Sequence, residues 1–282
     1  MRTQRILTTI LIGTTAGICG WLLFQLLAYI YLDYPLPFLD LFVYQGIFTG
    51  AGLGAFIYAK DAFLNQNWSL ARRKLLLGSI LGLVIALIAF TCAQSLLAFY
   101  VSASVVRVIA WTLWATGIAS FTGYSRPLTR RFFLQTLNGA LGGLFGGIFL
   151  EGFLLIPLEN LSSFLGIVVI GICVPFFMAI VEILLSNAYL KVLNGEQEGV
   201  AFFLDKDQFS IGYDYANDIV LTGYSEVCSQ HSRIIKQGQQ CILQNAQTGG
   251  QVLINYRLVN QQSMKRGDIV KIGTALLQFC EL

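Results

Sequence analysis

The chain has 282 residues, of which 56% are hydrophobic and only 12% are charged. Such a composition excludes an ordinary soluble protein and indicates a membrane protein. The net charge of +3 arises in the first 188 residues, which hold ten basic and six acidic residues, whereas the remainder of the chain is close to neutral. This distribution gives no indication of nucleic-acid binding.

Six long runs without a charged residue occupy the first two thirds of the chain. About 20 apolar residues are enough for a helix to cross the hydrocarbon core of a bilayer. The runs cover 6–32, 41–59, 75–106, 108–125, 132–150 and 160–181. We therefore predict a domain of six transmembrane helices over residues 1–188. The first run is too long for the apolar part of a signal peptide and has no small-x-small cleavage pattern, so we expect a retained helix.

Basic residues predict the orientation, because Lys and Arg near helix ends stay on the cytoplasmic side of a membrane. Nine of the ten basic residues in the predicted membrane domain fall on one side, namely Arg2, Arg5, Lys60, Arg72, Arg73, Lys74, Arg126, Arg130 and Arg131. Only Arg107 falls on the other side. We expect a multi-pass integral membrane protein with both termini in the cytoplasm, where thiols stay reduced and disulfides are not expected.

The first, third and fifth predicted helices share a spacing: a basic residue, a glycine eight positions later, and a polar residue twelve positions after that. The three sets are Arg5, Gly13, Gln25; Lys74, Gly82, Gln94; and Arg131, Gly139, Glu151. The cation can reach the lipid headgroups, and the glycine lets a neighbouring backbone approach. This internal repeat predicts one helical hairpin used three times.

Four polar residues of the predicted helices are candidates for a role beyond packing, namely Gln25, Gln94, Arg107 and Glu151. All four fall near the outer interface, where Arg107 and Glu151 could pair. A transport path needs polar groups at the bilayer midplane, and there the helices offer mostly Gly, Ala, Ser and Thr. The glycines favour packing within the bundle or between protomers of a homo-oligomer. A channel or transporter stays open as the alternative.

From residue 189 the pattern changes to short segments of β-forming residues separated by Gly, Asn and Asp. Examples are LKVL, VAFFL, FSIG, DIVL, SRII, CILQ, VLIN and DIVKIG. Eight or more strands in such a short stretch, with turn signals between them, predict an all-β sandwich over residues 189–282.

Several short motifs of this stretch occur in one order and at one spacing. They are Ile211-Gly212, Asn217-Asp218-Ile219-Val220-Leu221, Val227 with His231, Asn255, Gly267-Asp268 and Ile272-Gly273. Their order resembles that of the forkhead-associated (FHA) domain over nearly all of residues 189–282. The resemblance implies an FHA-like sandwich that recognises protein partners, and in this family His231 would have an architectural role.

FHA domains bind phosphothreonine through a few loop residues, and the resemblance implies where these would lie. The arginine that pairs with phosphate falls on Tyr213, the serine beside it on Cys228, and the asparagine that holds the ligand backbone on Gly250. Hydroxyl groups remain nearby on Ser229 and Thr248. A tyrosine cannot supply the guanidinium fork that phosphate requires, and the loss of one such contact costs on the order of 2 kcal/mol or more.

We therefore expect a degenerate phosphopeptide site with weak or absent phosphothreonine dependence, unless Arg233, Lys236 or Arg257 supplies the missing charge. The peptide-binding loops of this FHA-like site would include Tyr213, Cys228, Ser229, His231, Thr248, Gly250 and Asn255.

Catalytic and metal-binding patterns are not found in the sequence. His231 is the single histidine, and no CxxC, HExxH, GxSxG, GxGxxG or GxxxxGK[ST] motif occurs in a suitable context. We expect no enzyme activity, no cofactor and no metal. The leading hypothesis is a membrane-anchored scaffold or signalling protein that binds a cytoplasmic protein or peptide. The alternative is a small channel or transporter that the FHA-like domain regulates.

Overall fold

A computed structural model describes residues 2–281 apart from 34–39, 66, 124–129, 187, 205, 239 and 247–249. The chain forms two compact units, one of Arg2–Leu64 with Ala71–Val181 and one of Asn65–Leu70 with Glu182–Leu282. The first is helical and the second contains a β-sandwich.

Six helices form the N-terminal part, and each contains a segment long and apolar enough to cross a membrane. They are α1 (Arg2–Asp33), α2 (Leu41–Leu64), α3 (Trp68–Gln94), α4 (Ala103–Gly123), α5 (Arg130–Phe153) and α6 (Glu159–Leu185), with a short 3-10 turn at Ser95–Phe99. The prediction of six helices is confirmed. Several helices extend past the charge-free runs, because long charged side chains at helix ends can reach the headgroups.

Glycines bring neighbouring helices into close contact all the way around the helical unit. At many positions a Cβ added to the glycine would lie less than 3.0 Å from an atom of the facing helix, and one such contact for each pair of neighbouring helices shows the pattern. The contacts are Gly52 with Gly20, Gly82 with Gly50, Gly117 with Ile85, Gly139 with Ala119, Gly142 with Val174, and Gly13 with Gly171. Each helix therefore contacts the next one in sequence, and α6 contacts α1. Small residues allow this closeness between helices in lipid.

The three glycines of the sequence repeat occupy equivalent places in this ring. Gly13 faces α6, Gly82 faces α2 and Gly139 faces α4, so each packs on the helix that precedes its own around the ring. The shared spacing in the sequence thus corresponds to a shared packing position.

Large side chains fill the space between α2, α3 and α4. Trp114 is fully buried, and its indole N–H donates a hydrogen bond to the carbonyl oxygen of Gly82 over 3.1 Å. The ring of Trp111 lies 5.6 Å from that of Trp114 and 5.0 Å from that of Phe90. This packing favours a structural role for the glycine-rich faces over a conducting path.

The sandwich is built from eleven described strands in two sheets. The strands are β1 (Ala188–Val192), β2 (Ala201–Phe203), β3 (Gln208–Gly212), β4 (Ile219–Val220), β5 (Ser232–Gln237), β6 (Gln240–Asn245), β7 (Val252–Ile254), β8 (Arg257–Leu258), β9 (Gln261–Ser263), β10 (Ile269–Ile272) and β11 (Ala275–Glu281). One sheet has the order β2-β1-β11-β10-β7-β8, and the other has the order β4-β3-β5-β6-β9. The predicted all-β sandwich is confirmed.

Alternation along the strands creates the core between the sheets. In β1 and β11 every second side chain is buried, and Leu190, Leu277 and Phe279 are among the residues at the centre. Buried residues of both sheets form one apolar cluster, so the sandwich has a core of its own. Nearly all strand pairs are antiparallel, and the exception joins β3 to β4 in parallel, with Ile211 opposite Ile219.

Replacement of Gly82 by alanine should destabilise the helical unit, because the new Cβ would lie 2.3 Å from the carbonyl oxygen of Gly50. Overpacking of this kind costs about 1–3 kcal/mol. We expect the detergent-solubilised Gly82→Ala protein to unfold several degrees below the wild type in a thermal melt. The matched control is Gly152→Ala, where the Cβ would meet no atom within 4 Å. Equal melting temperatures for the two variants would contradict the packing described here.

Candidate functional site

Hydrogen bonds join the β3–β4 loop to the β4–β5 loop. The backbone N–H of Tyr213 donates to the carbonyl oxygen of Cys228 over 3.1 Å, and that of Asp214 donates to Ser229 over 3.4 Å. The side-chain amide of Asn217 donates to the carbonyl oxygens of Ser229 at 2.6 Å and Asp214 at 2.8 Å. The structure thus places Tyr213 beside Cys228 and Ser229, as the FHA resemblance implied.

Gly212 makes this close approach possible. A Cβ at this position would lie 2.1 Å from the carbonyl oxygen of Ser229 and 2.8 Å from the amide nitrogen of Asn217. Any larger residue would therefore push the two loops apart, which explains why the Ile211-Gly212 motif belongs to the architecture.

His231 joins three segments of the sandwich. Its Nδ1 accepts a hydrogen bond from the backbone N–H of Cys228 over 3.1 Å, so its other ring nitrogen, Nε2, carries the proton and donates to the carbonyl oxygen of Gln251 over 3.3 Å. The backbone of His231 donates to Ile211 and accepts from Ala246. A fully buried imidazole therefore holds the β4–β5 loop against the end of the β6–β7 loop.

Burial also sets the charge of this imidazole. Burial lowers the pKa of His231 below its ordinary value, and the hydrogen bond to the Gln251 carbonyl raises it only in part. The ring is neutral at physiological pH, in agreement with the role of Nδ1 as an acceptor. Among the described residues, His231 therefore acts as a structural link between two loops.

Gly250 lies against the same ring. A Cβ at this position would lie 2.6 Å from Cε1 of His231. The asparagine that the FHA resemblance would place here does not fit without a shift of the imidazole or of the loop. The glycine is therefore coupled to the position of His231.

We define the loop cluster as Tyr213, Cys228, Ser229, His231 and Gly250. Its surface is aromatic and hydroxylic. Tyr213 is 55% exposed and Ser229 is exposed, whereas Cys228 is half-buried. A phenol and a hydroxyl can donate single hydrogen bonds, but neither supplies the charged, bidentate contact that a phosphate dianion favours.

The cations that could have replaced the missing arginine lie on strands. Arg233 is on β5, opposite Ser210 and Gln244 in register, and Arg257 opens β8. Lys236 lies further along β5, opposite Cys241. The described loop cluster itself contains no arginine or lysine.

An ion pair and two hydrogen bonds of Asp218 fix the end of the β3–β4 loop. A carboxylate oxygen of Asp218 lies 2.6 Å from Nζ of Lys206, and the other oxygen accepts hydrogen bonds from the backbone N–H and hydroxyl of Ser210 at 3.0 and 3.1 Å. Burial acts to raise the pKa of Asp218, but Lys206 and Ser210 outweigh it and lower the pKa overall. The carboxylate is ionised and fully engaged in the loop.

Asn255, one of the predicted site residues, does not join the loop cluster. Thr248 lies outside the described residues. Asn255 sits in the β7–β8 turn with a φ of 51°, where its side chain accepts a hydrogen bond from the N–H of Ile269 over 3.0 Å and donates one to Asp268 over 2.9 Å. Its amide thus connects β7 to β10 instead of facing the loop cluster.

Of the four polar positions predicted in the helices, two form an ion pair with each other and two lie on separate helices. Arg107 and Glu151 form a bidentate ion pair, with Nε to Oε1 at 2.5 Å and Nη2 to Oε2 at 2.9 Å. This is the pairing expected from the sequence. Gln25 and Gln94 are half-buried on α1 and α3. Among the described residues, no group of His, Cys, Asp and Glu side chains could hold a metal ion.

Comparisons with known proteins concern the C-terminal sandwich. Residues 191–282 match a family model described as the cytoplasmic domain of an inner membrane component of T3SS, a match that covers the sandwich alone. No match was found among curated proteins. The C-terminal unit contains an FHA-type domain, and the protein joins it to six apolar helices of membrane-spanning length.

Several solved structures are similar to the sandwich. The FHA domain of the CT664 protein from Chlamydia trachomatis is 27% identical over 34% of this chain and 99% of that chain, with a TM-score of 0.32. The cytoplasmic domain of the T3SS sorting platform protein PscD from P. aeruginosa is 17% identical over 33% of this chain and 79% of that chain, with a TM-score of 0.31. The FhaA FHA domain, solved in complex with the intracellular domain of Rv3910, is 18% identical over 33% of this chain and 98% of that chain, with a TM-score of 0.30.

The pH dependence of stability tests the role of His231. Because its folded-state pKa is lowered, the unfolded chain takes up a proton below about pH 6.5 while the folded chain does not. The free energy of unfolding of the fragment 186–282 should therefore fall as the pH drops from 7.5 to 5.5, as measured by urea titration.

The variant His231→Asn is the matched control, because the fragment has no other histidine. We expect it to lose about 1–3 kcal/mol at pH 7.5, since buried hydrogen bonds are lost, and to vary less than the wild type between pH 7.5 and 5.5. A wild-type fragment as stable at pH 5.5 as at pH 7.5 would contradict the neutral, buried imidazole.

Proposed function

We propose that the protein is a membrane-anchored scaffold whose FHA-type domain binds a protein partner in the cytoplasm without requiring phosphothreonine. The six helices localise the domain at the membrane, and the loop cluster provides the recognition surface. No enzymatic step is part of this function. The observation that carries the proposal is an intact FHA framework with Tyr213 where a phosphate-binding arginine would lie.

The contrast between framework and ligand groups is specific. His231, Gly212 and Asn217 keep the loops together through close contacts and hydrogen bonds. The groups that would contact a phosphate are a phenol at Tyr213 and a half-buried thiol at Cys228. A surface that had lost all function would have no reason to preserve the loop geometry, and a phosphothreonine reader would need a guanidinium group.

Exposed aromatic side chains support binding of an unmodified protein. Tyr213 and Tyr215 are both about half exposed on the β3–β4 loop, which is hydrogen-bonded to the loop that carries Ser229. Tyrosine is enriched at the energetic centres of protein interfaces, because it buries a large area and still offers one hydrogen bond. We infer that these two tyrosines are the main contacts of the partner.

The proposed orientation rests on the basic residues at the helix ends and on the description of the matching family. Nine of the ten basic residues of the membrane part fall in the N-terminal segment and the loops of one predicted side, which the positive-inside rule assigns to the cytoplasm. The family description names a cytoplasmic domain of an inner membrane component. Both support a sandwich on the cytoplasmic side.

Restoration of the charged group tests the loop cluster directly. The double variant Tyr213→Arg/Cys228→Ser should gain phosphothreonine-peptide binding. The backbones of the two positions are hydrogen-bonded to each other, so the new side chains would lie side by side, and the side chain at position 213 is exposed. We expect affinity for the phosphorylated peptide to rise at least tenfold above that of the wild-type fragment 186–282 in calorimetric titrations.

The same titrations with the unphosphorylated peptide are the control, and they should show no gain. Since Gly250 lies against His231, a further Gly250→Asn change should not improve binding and should lower stability. If the wild-type fragment itself binds the phosphopeptide tightly and with strong salt dependence, the proposed independence of phosphate is wrong.

A further inference from the structure

The hairpin turn between β7 and β8 holds a tyrosine in a backbone conformation that tyrosine rarely adopts. Asn255 has a φ of 51° and Tyr256 a φ of 62°, so both central residues of the turn lie in the left-handed region. Two-residue turns of this kind favour Asn-Gly, because glycine adopts a positive φ without strain. Tyr256 is 69% exposed, so its ring contributes little to the packing of the sandwich. A strained residue that the core does not need indicates a use of its side chain at the surface.

The β7–β8 turn is joined to the β9–β10 turn through one carboxylate. The side-chain amide of Asn255 donates to Asp268 over 2.9 Å, and the other carboxylate oxygen of Asp268 accepts a hydrogen bond from the backbone N–H of Lys265 over 2.7 Å. Exposed residues of the two turns thus lie together at one end of the sandwich. We define the turn patch as five of them, namely Tyr256, Arg257, Leu258, Lys265 and Arg266.

The turn patch combines positive charge with apolar surface. In the part of the chain that the structure describes, no ion pair involves Arg257, Lys265 or Arg266. The carboxylate between the turns, Asp268, is already engaged by hydrogen bonds within the turns. Leu258 is 61% exposed and adds apolar area beside the three cations. Exposed cations next to an aromatic and an aliphatic side chain are typical of surfaces that bind to membranes.

The chain enters the sandwich at the end that carries the turn patch. β1 begins at Ala188, which lies opposite Glu281 of β11. The β9–β10 turn meets the same stretch of β11, because the backbone N–H of Phe279 donates to the carbonyl oxygen of Asp268 over 2.8 Å. Ala188 follows Leu185, the last residue of α6, by three positions, and an extended chain advances at most about 3.6 Å per residue. The covalent link from a helix of membrane-spanning length to this end of the sandwich is therefore short.

The loops at the opposite end of the sandwich carry the opposite charge. β7 leads from Gln251, which His231 holds, to the turn at Tyr256, so the loop cluster and the turn patch lie at its two ends. The β1–β2 loop belongs to the loop-cluster end, because the hydroxyl of Tyr224 donates to the carbonyl oxygen of Asn194. In the described residues of the β1–β2, β3–β4 and β4–β5 loops, the exposed charged side chains are all acidic, namely Glu196, Glu198, Asp214 and Glu226. An anionic surface would attract one end of the sandwich and repel the other.

We propose that the turn patch binds the surface of an anionic phospholipid membrane, with its three cations on the lipid phosphates and the ring of Tyr256 among the headgroups. Basic residues next to a transmembrane helix attract acidic lipids, and tyrosines concentrate at the membrane–water interface because the ring is apolar and the hydroxyl polar. The short link to α6 favours a lipid surface over an acidic protein, since the membrane is always within reach of this end. The contact would turn the loop cluster away from the membrane, where a partner can reach it.

The test uses the full-length protein in nanodiscs of phosphatidylcholine, with and without phosphatidylglycerol, and measures hydrogen–deuterium exchange by mass spectrometry. We expect the backbone amides of 255–258 and 264–268 to exchange about fivefold more slowly in the discs that contain phosphatidylglycerol, because acidic lipids attract the cations. High salt should abolish the difference, since it screens this attraction. Residues 213–216 are the internal control and should exchange equally in both kinds of disc.

The variant Lys265→Gln/Arg266→Gln should lose this protection. The matched control is Arg233→Gln/Lys271→Gln, which removes the same charge from β5 and β10 and should behave like the wild type. The variant Tyr256→Gly tests the ring separately. It should melt no lower than the wild type, because glycine adopts the positive φ without strain, and its protection should fall about twofold as the interfacial ring is lost.

Equal exchange of the two turns in both kinds of nanodisc would overturn the proposal, and so would full protection in the Lys265→Gln/Arg266→Gln variant. A third arm adds polyglutamate to the phosphatidylcholine discs. Slower exchange of the turns with polyglutamate, but not with phosphatidylglycerol, would assign the turn patch to an acidic protein surface and contradict binding to lipid.

Discussion

The hydrogen bonds of the His231 imidazole hold together the loops of the proposed recognition surface. Nδ1 accepts from the backbone of one loop, and Nε2 donates to the backbone at the end of another. These bonds require a neutral ring, and the buried position of the ring keeps it neutral. Without this contact, the described segments around Cys228 and Gln251 would lose the two side-chain hydrogen bonds that join them through His231.

This arrangement separates the architecture of an FHA-type domain from its chemistry. The residues that hold the loops together match the FHA pattern, including Gly212, Asn217 and His231. The positions that would contact a phosphate have other side chains. A fold can thus keep its loops in place while the specificity of the surface changes. In the proposed function, the half-exposed Tyr213 and Tyr215 are the contacts for an unmodified protein surface.

The helical part follows a different physical rule. Lipid offers no hydrophobic driving force between helices, so their association depends on close packing and on the few polar contacts that are available. Glycines supply the close packing around the ring. The buried Trp114 and its hydrogen bond to Gly82 fill the region between α2, α3 and α4, which is difficult to reconcile with a solute path there.

Much of the architecture could be predicted from the sequence, because the solvent around each part of the chain, lipid or water, limits the structures that it can form. Charge-free runs must be helices in hydrocarbon, and alternating β segments with turn residues must pair in water. The equivalence of Gly13, Gly82 and Gly139 was also visible as a spacing. Helix ends were less predictable, since long charged side chains extend helices beyond the apolar runs.

The details of the sites were harder to predict, because they depend on contacts between distant segments. The contact of Gly250 with His231 and the engagement of Asn255 with Asp268 appear only once the strands are assembled.

The most direct measurement is capture of cytoplasmic partners by the full-length protein in nanodiscs, with the cell extract divided into untreated and phosphatase-treated halves. The account predicts the same partner at the same occupancy from both halves, and its loss from the variant Tyr213→Ala/Tyr215→Ala, while Leu258→Ala, at another exposed site, retains it. A partner that disappears after phosphatase treatment, or that binds the tyrosine variant unchanged, would contradict recognition through an FHA-type surface that has no phosphate-binding group.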